Sequence, residues 1–450
     1  MSNPFIPVRV KLGTKPLGVW GSLQAARRNV LSIVPEIATR QPIVSGKVGV
    51  RWHMVMDPTA LRHILRDNLD NYPKSNITKD LLRPAIGESL FIAEGAHWKW
   101  QRRAAAPVFT HRNIANLGPI MSRAAENTLA RLRSQAARAV DLYAEMVDTT
   151  FDVISDVTFS QSGGFDRDSL LQMFETYLSS AAKVSILDMV NAPLWIPRPS
   201  RAFVGGELTR LKAVADNAIR RREKHQPDAV PDLLDLLLAG EDPETKRRMS
   251  TAELRDNLLT FIVAGHETTA LALSWAFYLL AHHPDIQSRA HKEASTALNG
   301  SIATAEDLPK LPFIRAVLDE TLRLYPPAAF ASRTALAPDT LCGREVRKGD
   351  TVMLPFYALH RSHLHWEDPD QFRPDRFMDR SKIDRFTYLP FGDGPRICIG
   401  ASFAIQEAVI VLATLLSRFR FEPIPGKNPD PVMILTLRPQ GGVWLKLHEI

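Results

Sequence analysis

The segment Phe391-Gly-Asp-Gly-Pro-Arg-Ile-Cys-Ile-Gly400 places the thiol of Cys398 directly before an apolar helix predicted at about 401–418. The glycines of this segment can adopt a positive φ and let a flat ligand approach the backbone closely. The first amide groups of the following helix lack partners within it, and the helix dipole favours an anion there. A thiolate in this setting is either a nucleophile or a metal ligand.

The composition is that of a globular protein. The chain has 450 residues, of which 45% are hydrophobic and 23% charged, so it can bury a large core. The net charge of +7 indicates either an ordinary basic surface or a docking face for an acidic partner. No run of basic residues is dense enough to predict nucleic-acid binding.

Cysteine usage and the first residues indicate the compartment. Two cysteines, Cys342 and Cys398, do not make a disulfide scaffold and are typical of a reducing environment. The opening MSNPFIPVRVKLGTKPLGVWGS has neither an unbroken apolar stretch of about 20 residues nor a secretory signal pattern. We therefore expect a soluble, cytoplasmic protein without a transmembrane anchor.

The apolar patterns predict a mostly α protein with a small β subdomain. The helical portion is expected at about 97–330 and 401–418, and the β-rich portion at about 40–56, 332–354 and 432–447. The last segment reads as a hairpin around Gln440-Gly441-Gly442. We expect residues 1–450 to form a single domain.

The longest predicted helix runs from about 251 to 282. Ser250 and Glu253 form a capping box before it, and apolar residues surround most of it, which indicates a buried central helix. Gly265 and Thr268 interrupt the apolar sequence in its middle. Either the backbone opens there to hold water or a ligand, or the hydroxyl of Thr268 bonds to a carbonyl of its own helix.

A charged pair lies on one face of the helix predicted at about 312–325. Glu320 and Arg323 are three residues apart, and if they are buried they need further partners. Arg376, in the irregular segment 360–397, could supply one.

Together these elements resemble the cytochrome P-450 superfamily of haem-thiolate monooxygenases, in its soluble bacterial form. The family's cysteine loop, Phe-x-x-Gly-x-Arg-x-Cys-x-Gly, matches Phe391 to Gly400 at every fixed position. Four further motifs occur in the family's order: Trp98 with Arg102, Ala264 through Thr269, Glu320 with Arg323, and Pro374-Asp-Arg-Phe377, which has Asp where the family has Glu.

The resemblance implies that Cys398 is the axial iron ligand of haem b. The expected haem contacts are Trp98, Arg102, Ala264, Arg333, Phe391, Arg396 and Gly400. Trp98 and the three arginines of this set would bind the haem propionates, which suit the bidentate arginine fork.

The resemblance also implies roles away from the iron. Glu267 and Thr268 would relay protons during oxygen activation, while Glu320, Arg323 and Arg376 would be structural. The implied substrate pocket is apolar and therefore takes a lipophilic compound; its residues are Phe91, Ile92, Ala264, Ala328, Ala329, Phe330 and Leu435.

The activity so implied inserts one oxygen atom from O2 into a lipophilic small molecule, with hydroxylation as the expected outcome. Electrons would come from a separate ferredoxin or flavodoxin served by an NAD(P)H-dependent reductase. A peroxygenase or isomerase of the same family and a haem-based sensor remain alternatives, although the pair Glu267 and Thr268 favours the monooxygenase. Fatty acids, terpenoids, steroids and aromatic compounds all remain open as substrates.

Overall fold

Helices dominate the computed structural model, which describes residues 5–15, 17–135, 138–159, 205–224 and 231–450. The parts of the predicted helical portion at 160–204 and 225–230 lie outside the described residues. The helices described are α1 (Val19–Arg28), α2 (Pro58–Arg62), α3 (Asn76–Ile86), α4 (Gly95–Ala105), α5 (His111–Asn116), α6 (Gly118–Ser134), α7 (Leu142–Phe159), α8 (Gly205–Arg222), α9 (Leu233–Ala239), α10 (Thr251–Ala281), α11 (Pro284–Leu298), α12 (Pro312–Leu324), α13 (Phe356–Leu359) and α14 (Ala401–Leu416).

Short strands form four small sheets among the described residues. The strands are β1 (Ile43–Val48), β2 (Val50–Val55), β3 (Ala139–Asp141), β4 (Ala331–Thr334), β5 (Asp339–Leu341), β6 (Arg344–Val346), β7 (Thr351–Leu354), β8 (Phe419–Pro423), β9 (Asp430–Met433), β10 (Leu437–Gln440) and β11 (Trp444–Glu449). They pair in the orders β1-β2-β7-β4, β5-β6, β9-β10 and β3-β11-β8. The predicted class, mostly α with a small β portion, is confirmed.

The hairpin predicted around Gln440-Gly441-Gly442 is wrong. Strand β10 pairs with β9, whereas β11 pairs with β8 and β3 in a different sheet. Gly442 has a φ of +80°, and a Cβ there would lie 2.4 Å from a carboxylate oxygen of Asp141. The same carboxylate accepts a hydrogen bond from the amide of Val443 at 2.8 Å. The glycine turn therefore directs β11 towards β3, and β11 does not fold back onto β10.

The central helix α10 begins at the predicted capping box. The Ser250 hydroxyl accepts from the amide of Glu253, whose carboxylate accepts from the amide of Ser250. The helix packs along α7 and also contacts α8, α12 and α14. Its Trp275 is fully buried and stacks on Tyr325 with ring centroids 4.0 Å apart. Because α10 is buried by neighbours on several sides, it can be apolar over most of its surface.

One cluster of buried apolar side chains extends through the described chain from Val10 to Leu447 and joins the helices to the sheets. A second, smaller cluster forms where α3 meets α10. None of the described helices combines the length and the hydropathy that crossing a membrane requires.

Candidate active site

The cysteine loop is held in shape by its own backbone and by a glycine contact. The amide of Cys398 donates to the carbonyl oxygen of Phe391 at 2.9 Å. Gly394 has a φ of +73°, and a Cβ there would lie 2.1 Å from the carbonyl oxygen of Leu65, so only glycine fits. The loop ends at Gly400, the N-cap residue of α14. Cys398 is therefore placed just ahead of a helix N-terminus, as the sequence predicts.

The Cys398 thiol is accessible even though protein surrounds it. Burial raises its pKa, while a hydrogen bond from the Gly400 amide and the positive charge of Arg102 lower it. The last two effects favour the thiolate. An accessible thiol within surrounding protein faces an internal space, which suits a ligand for a bound group.

Accessible residues in the middle of α10 and after α12 also lie among buried neighbours. Ala264 is exposed and Thr268 half-buried, although His266, Glu267 and Thr269 between or beside them are buried. Ala328 is likewise exposed between buried residues.

The middle of α10 is a continuous helix in which the Thr268 hydroxyl bonds to a carbonyl of its own helix, the second of the two alternatives. The helix is continuous from Thr251 to Ala281, and the hydroxyl of Thr268 donates to the carbonyl oxygen of Ala264 at 2.6 Å. The structure therefore has the hydroxyl bonded to its own helix, and the helix is not interrupted at Gly265.

Glu267 points towards the β10 strand. Its Oε1 accepts from the hydroxyl of Thr436 at 2.8 Å and from Nε of Arg438 at 2.5 Å. No hydrogen bond joins the Glu267 and Thr268 side chains in the described part of the chain. The sequence carried no signal for these two partners, since they lie about 170 positions away.

Arg333 is a buried cation without a carboxylate bound to it among the described residues. It is 8% exposed, its Nη1 donates to the Ser332 carbonyl oxygen at 3.1 Å, and its Nε has no hydrogen-bond partner there. Burial, followed by repulsion from Arg396, lowers the pKa of Arg333 to about 10. A buried guanidinium in this state needs an anionic partner.

Arg102 and Lys74 extend this positive region. Burial lowers the pKa of Arg102, and the negative charge of Cys398 raises it. Sequence analysis missed Lys74, whose pKa is lowered well below its ordinary value by burial and then by Arg333 and Arg396. Its ammonium lies 3.7 Å from the ring centroid of Phe91, whose carbonyl oxygen accepts from it.

Arg396 is already bound by protein groups. Its guanidinium lies 4.4 Å from the ring centroid of Trp98, donates to the Ala93 carbonyl oxygen at 2.9 Å and pairs with Glu94. Among the described residues, Glu94 is the one carboxylate whose negative charge raises the pKa values of Lys74 and Arg333. The surplus of buried positive charge fits a haem, because its two propionates would supply the missing anions.

Glu320 and Arg323 form a fully buried bidentate ion pair. Nε and Nη2 of Arg323 donate to the two carboxylate oxygens of Glu320 at 2.7 and 2.8 Å. Arg376 approaches the same carboxylate at 3.4 Å. The remaining donors of Arg323 bind backbone carbonyl oxygens of the irregular segment, those of His360, Pro369 and Gln371. The predicted partners are therefore brought together.

The structure brings together only part of the predicted substrate pocket. Ile92 and Leu435 meet in the smaller apolar cluster, with α3 and with Val263 and Leu208, which the sequence analysis missed. Phe91 is 40% exposed. Ala329 is fully buried in the main cluster and Phe330 packs against that cluster. Val263 is apolar and directly precedes the predicted pocket residue Ala264, and that position was the signal that could have identified it.

Comparisons with known proteins agree with this arrangement. The family model described as Cytochrome P450 matches residues 12–446. The chain is 33% identical to "Cyclooctat-9-en-7-ol 5-monooxygenase" of Streptomyces melanosporofaciens over 424 residues, covering 92% of this chain and 90% of that protein. It is 31% identical to "Protein LUTEIN DEFICIENT 5, chloroplastic" of Arabidopsis thaliana over 84% of this chain, and it spans 66% of the length of that protein.

The fold is shared with a solved structure, the haem domain of cytochrome P450DA. The TM-score is 0.83 at 25% sequence identity, and the match covers 100% of this chain and 99% of that one. The fold, the cysteine loop and the extent of these matches lead to one conclusion: this chain belongs to the cytochrome P450 family and is a P450-type oxidoreductase.

Proposed function

We propose that this cytochrome P450 inserts one oxygen atom of O2 into a lipophilic small molecule, as a hydroxyl group, with haem b bound through Cys398. The observation that carries the proposal is an accessible Cys398 near the positive charge of Arg102, together with a buried Arg333 whose Nε is unpaired. A nucleophilic cysteine would not require that second feature. A dianionic, iron-containing cofactor accounts for both.

The residues that would hold the cofactor come from the cysteine loop, from α4 and from β4. Cys398 would bind the iron, and the Gly400 amide would donate to its sulfur. Arg102 and Arg333 are proposed as the main hydrogen-bond donors to the propionates, and Lys74 as a third. The remaining contacts proposed are Trp98, Ala264, Phe391 and Arg396. When bound, the haem supplies the oxygen chemistry, in which a thiolate ligand favours O–O cleavage.

Thr268 and Glu267 are proposed as the catalytic proton donors. The Thr268 hydroxyl is accessible on the face of α10 that also exposes Ala264. It can give its proton and be reprotonated by a neighbouring acid. Glu267 is the adjacent carboxyl group and can fill that role after leaving Thr436 and Arg438.

The substrate proposed is apolar because the smaller cluster is apolar. Ile92, Val263 and Leu435 come together there, and Ala264 and Ala328 expose small side chains. Phe91, Ala329 and Phe330 stay in the proposal as further pocket residues. The name of the Streptomyces relative supports a hydrocarbon-rich alcohol such as cyclooctat-9-en-7-ol as the first compound to try.

The supporting framework is also part of the proposal. Glu320, Arg323 and Arg376 would fix the irregular segment that leads to the cysteine loop. Residues 1–450 would form one domain, since a single apolar cluster joins helices and sheets.

Two free cysteines are consistent with a cytoplasmic location.

Electrons are proposed to come from a separate acidic ferredoxin or flavodoxin with its NAD(P)H-dependent reductase. The net charge of +7 supports attraction of an acidic partner. Reduction should therefore slow as salt is raised, and a rate that does not fall would argue against electrostatic docking.

The spectrum of the reduced, carbon-monoxide-treated protein tests the central claim. The Soret band should stand at the long-wavelength position of thiolate-ligated haem, and Cys398→His should move it to the imidazole position. A native protein with the imidazole-type band would show the ligation to be wrong. NADPH consumption stimulated by cyclooctat-9-en-7-ol would distinguish an enzyme from a sensor.

A further inference from the structure

Three polar side chains outside the candidate active site form a connected line across strands β1, β2 and β7. The hydroxyl of Ser45 on β1 lies 2.8 Å from Nδ1 of His53 on β2, and Nε2 of His53 lies 3.1 Å from a carboxylate oxygen of Asp350, just before β7. Ser45 is exposed, whereas His53 and Asp350 are buried. A serine, a histidine and an aspartate joined in this order are the groups that activate a serine as a nucleophile.

The Asp350 carboxylate decides which ring nitrogen of the neutral His53 carries the proton. A carboxylate only accepts hydrogen bonds, so Nε2 donates to it and Nδ1 keeps its lone pair. The Ser45 hydroxyl therefore donates to Nδ1. This nitrogen is placed to take the hydroxyl proton when the serine oxygen attacks, and the imidazolium then formed would lie beside a buried carboxylate.

The orientation of the Asp350 carboxylate is itself fixed. The oxygen that accepts from His53 also accepts from the Arg347 amide at 2.8 Å and lies 3.3 Å from Nε of Arg51. A base whose ring is held by a third, fixed group is the arrangement that nucleophilic catalysis requires.

A second contact between a serine and a histidine lacks this arrangement. The Ser295 hydroxyl lies 3.3 Å from Nδ1 of His291, but that nitrogen also lies 2.8 Å from the Leu416 carbonyl oxygen. Because a carbonyl oxygen only accepts, Nδ1 of His291 carries the proton and cannot take one from Ser295. Ser295 is therefore a comparison for Ser45 within the same protein.

The backbone of Ser45 offers a hydrogen-bond donor at the edge of the sheet. Strand β1 is an edge strand, in which Ser45 lies directly opposite His53. Hydrogen-bonded and non-hydrogen-bonded pairs alternate along an antiparallel ladder, and the Met56 amide donates to the Pro42 carbonyl oxygen at 2.8 Å. Ser45, three positions after Pro42, is then in a non-hydrogen-bonded pair. Its N–H points away from β2 and can donate to the oxygen of a carbonyl group that the serine attacks.

Lys47 adds a positive charge on the same face of the strand. Residues two apart in a strand share a face and are about 7 Å apart, which a lysine and a short acyl chain can bridge. Arg51, opposite Lys47, already pairs with Asp350 and Glu345. Lys47 is exposed and pairs with no carboxylate in the described part of the chain. An ester whose acyl group ends in a carboxylate therefore suits this surface better than a neutral ester.

We propose that Ser45, His53 and Asp350 form a second, hydrolytic site, which cleaves small esters whose acyl group carries a carboxylate. The Ser45 oxygen attacks the ester carbonyl carbon while His53 takes the hydroxyl proton, and His53 gives that proton to the alcohol as the ester bond breaks. Water then attacks the acyl-serine and gives a proton to His53, which returns it to the Ser45 oxygen as the acid leaves. Asp350 positions His53 and transfers no proton.

Covalent labelling tests whether Ser45 is nucleophilic. The holoenzyme is treated with a fluorophosphonate, which reacts with activated serines, and the labelled peptides are identified by mass spectrometry. Ser45 should be labelled at least tenfold faster than Ser295, which has a histidine without a carboxylate, and than Ser301, which is exposed. Ser45→Ala should remove the fast label and, since Ser45 is exposed, keep the haem content and unfolding temperature. Equal labelling of Ser45 and Ser301 would overturn the proposal.

Hydrolysis of mono-para-nitrophenyl succinate measures turnover, with para-nitrophenyl acetate as the neutral counterpart. Ser45→Ala should lower kcat/KM for the succinate ester at least tenfold, whereas Ser295→Ala should leave it unchanged. Lys47→Gln should raise KM severalfold for the succinate ester and not for the acetate. Equal effects on the two esters would show that the preference for a carboxylate is wrong.

Asp350 needs a readout that a merely structural role would not give. Asp350→Asn should lower kcat for the succinate ester with little change in KM, and Asp350→Glu should restore part of the lost rate. Hydrolysis of both esters at the unaltered rate in Ser45→Ala would mean that Ser45 does not catalyse and that the three side chains only support the sheet.

Discussion

Gly394 lies directly against Leu65: a Cβ at position 394 would come within 2.1 Å of the Leu65 carbonyl oxygen. The contact joins the cysteine loop to the segment after α2, so the loop can approach only if residue 394 has no side chain. A β-carbon there would force the backbone apart ahead of Cys398.

Gly394→Ala should therefore lose most of its bound haem. Gly392 is the matched control, because it also has a positive φ, +68°, but has nothing within 4 Å of an added Cβ. Gly392→Ala should cost only the backbone strain of about 1–2 kcal/mol. Haem content per polypeptide and thermal unfolding distinguish the two, and equal losses would show that the contact with Leu65 is unimportant.

Glu320→Ala should be strongly destabilising. It leaves Arg323 as a buried charge without its carboxylate, which costs about 3–5 kcal/mol. Glu449→Ala is the control, since Glu449 forms a half-exposed pair with Arg133 and should cost no more than about 1 kcal/mol. Denaturant unfolding measures both free energies. Similar costs for the two variants would contradict a structural role for the buried pair.

Arg333→Met should change stability and haem binding in opposite directions. Without haem, the buried guanidinium lacks an anion, so its replacement should raise the unfolding temperature of the apoprotein. Haem affinity should fall by about tenfold to a hundredfold, which corresponds to losing about 1.5–3 kcal/mol of charged hydrogen bonding. Apoprotein unfolding and haem titration measure the two effects, and unchanged affinity would rule out a propionate contact.

Glu407→Gln should alter how stability depends on pH. Glu407 is fully buried on α14, and burial raises its pKa well above 4.5, with a smaller lowering by the hydroxyl of Thr269. The folded protein therefore keeps the proton that the unfolded chain releases above about pH 4.5. Stability is full below that pH and falls as pH rises towards the folded pKa, by about 1.4 kcal/mol per unit.

The Glu407→Gln variant has no proton to lose at this position, so its stability should decline less between pH 5 and 8. The exposed Glu306→Gln is the control for removing one carboxyl group. Parallel curves for Glu407→Gln and the unaltered protein would mean that Glu407 is ionised when folded.

Thr268→Ala should uncouple reductant use from oxygen insertion and increase peroxide release severalfold, because a hydroxyl that hands on protons is lost. Thr260→Ala is the matched control, since Thr260 on the same helix makes the same kind of bond, 2.7 Å to the Asp256 carbonyl oxygen. Peroxide formed per NADPH consumed is the measurement. An equal increase in both variants would point to helix distortion.

Local sequence features predicted the elements whose causes are local. The capping box at Ser250 starts α10, and Pro326 follows the end of α12 at Leu324. The hairpin prediction failed at Gly442 because the contact that directs this turn, with Asp141, lies about 300 positions away. Lys74 and Arg438 were missed for the same reason: no short spacing marks a side chain whose partner is distant in sequence.

The sequence by itself determined the family, the cysteine loop and the spacing of Glu320 and Arg323 on one helix face, since these depend on residue types at short, fixed spacings. Only the tertiary structure decided which cations near the loop lack carboxylates and where the Glu267 carboxylate points. Those properties arise from desolvation and from contacts between distant segments, and burial and charge pairing are set when the whole chain packs.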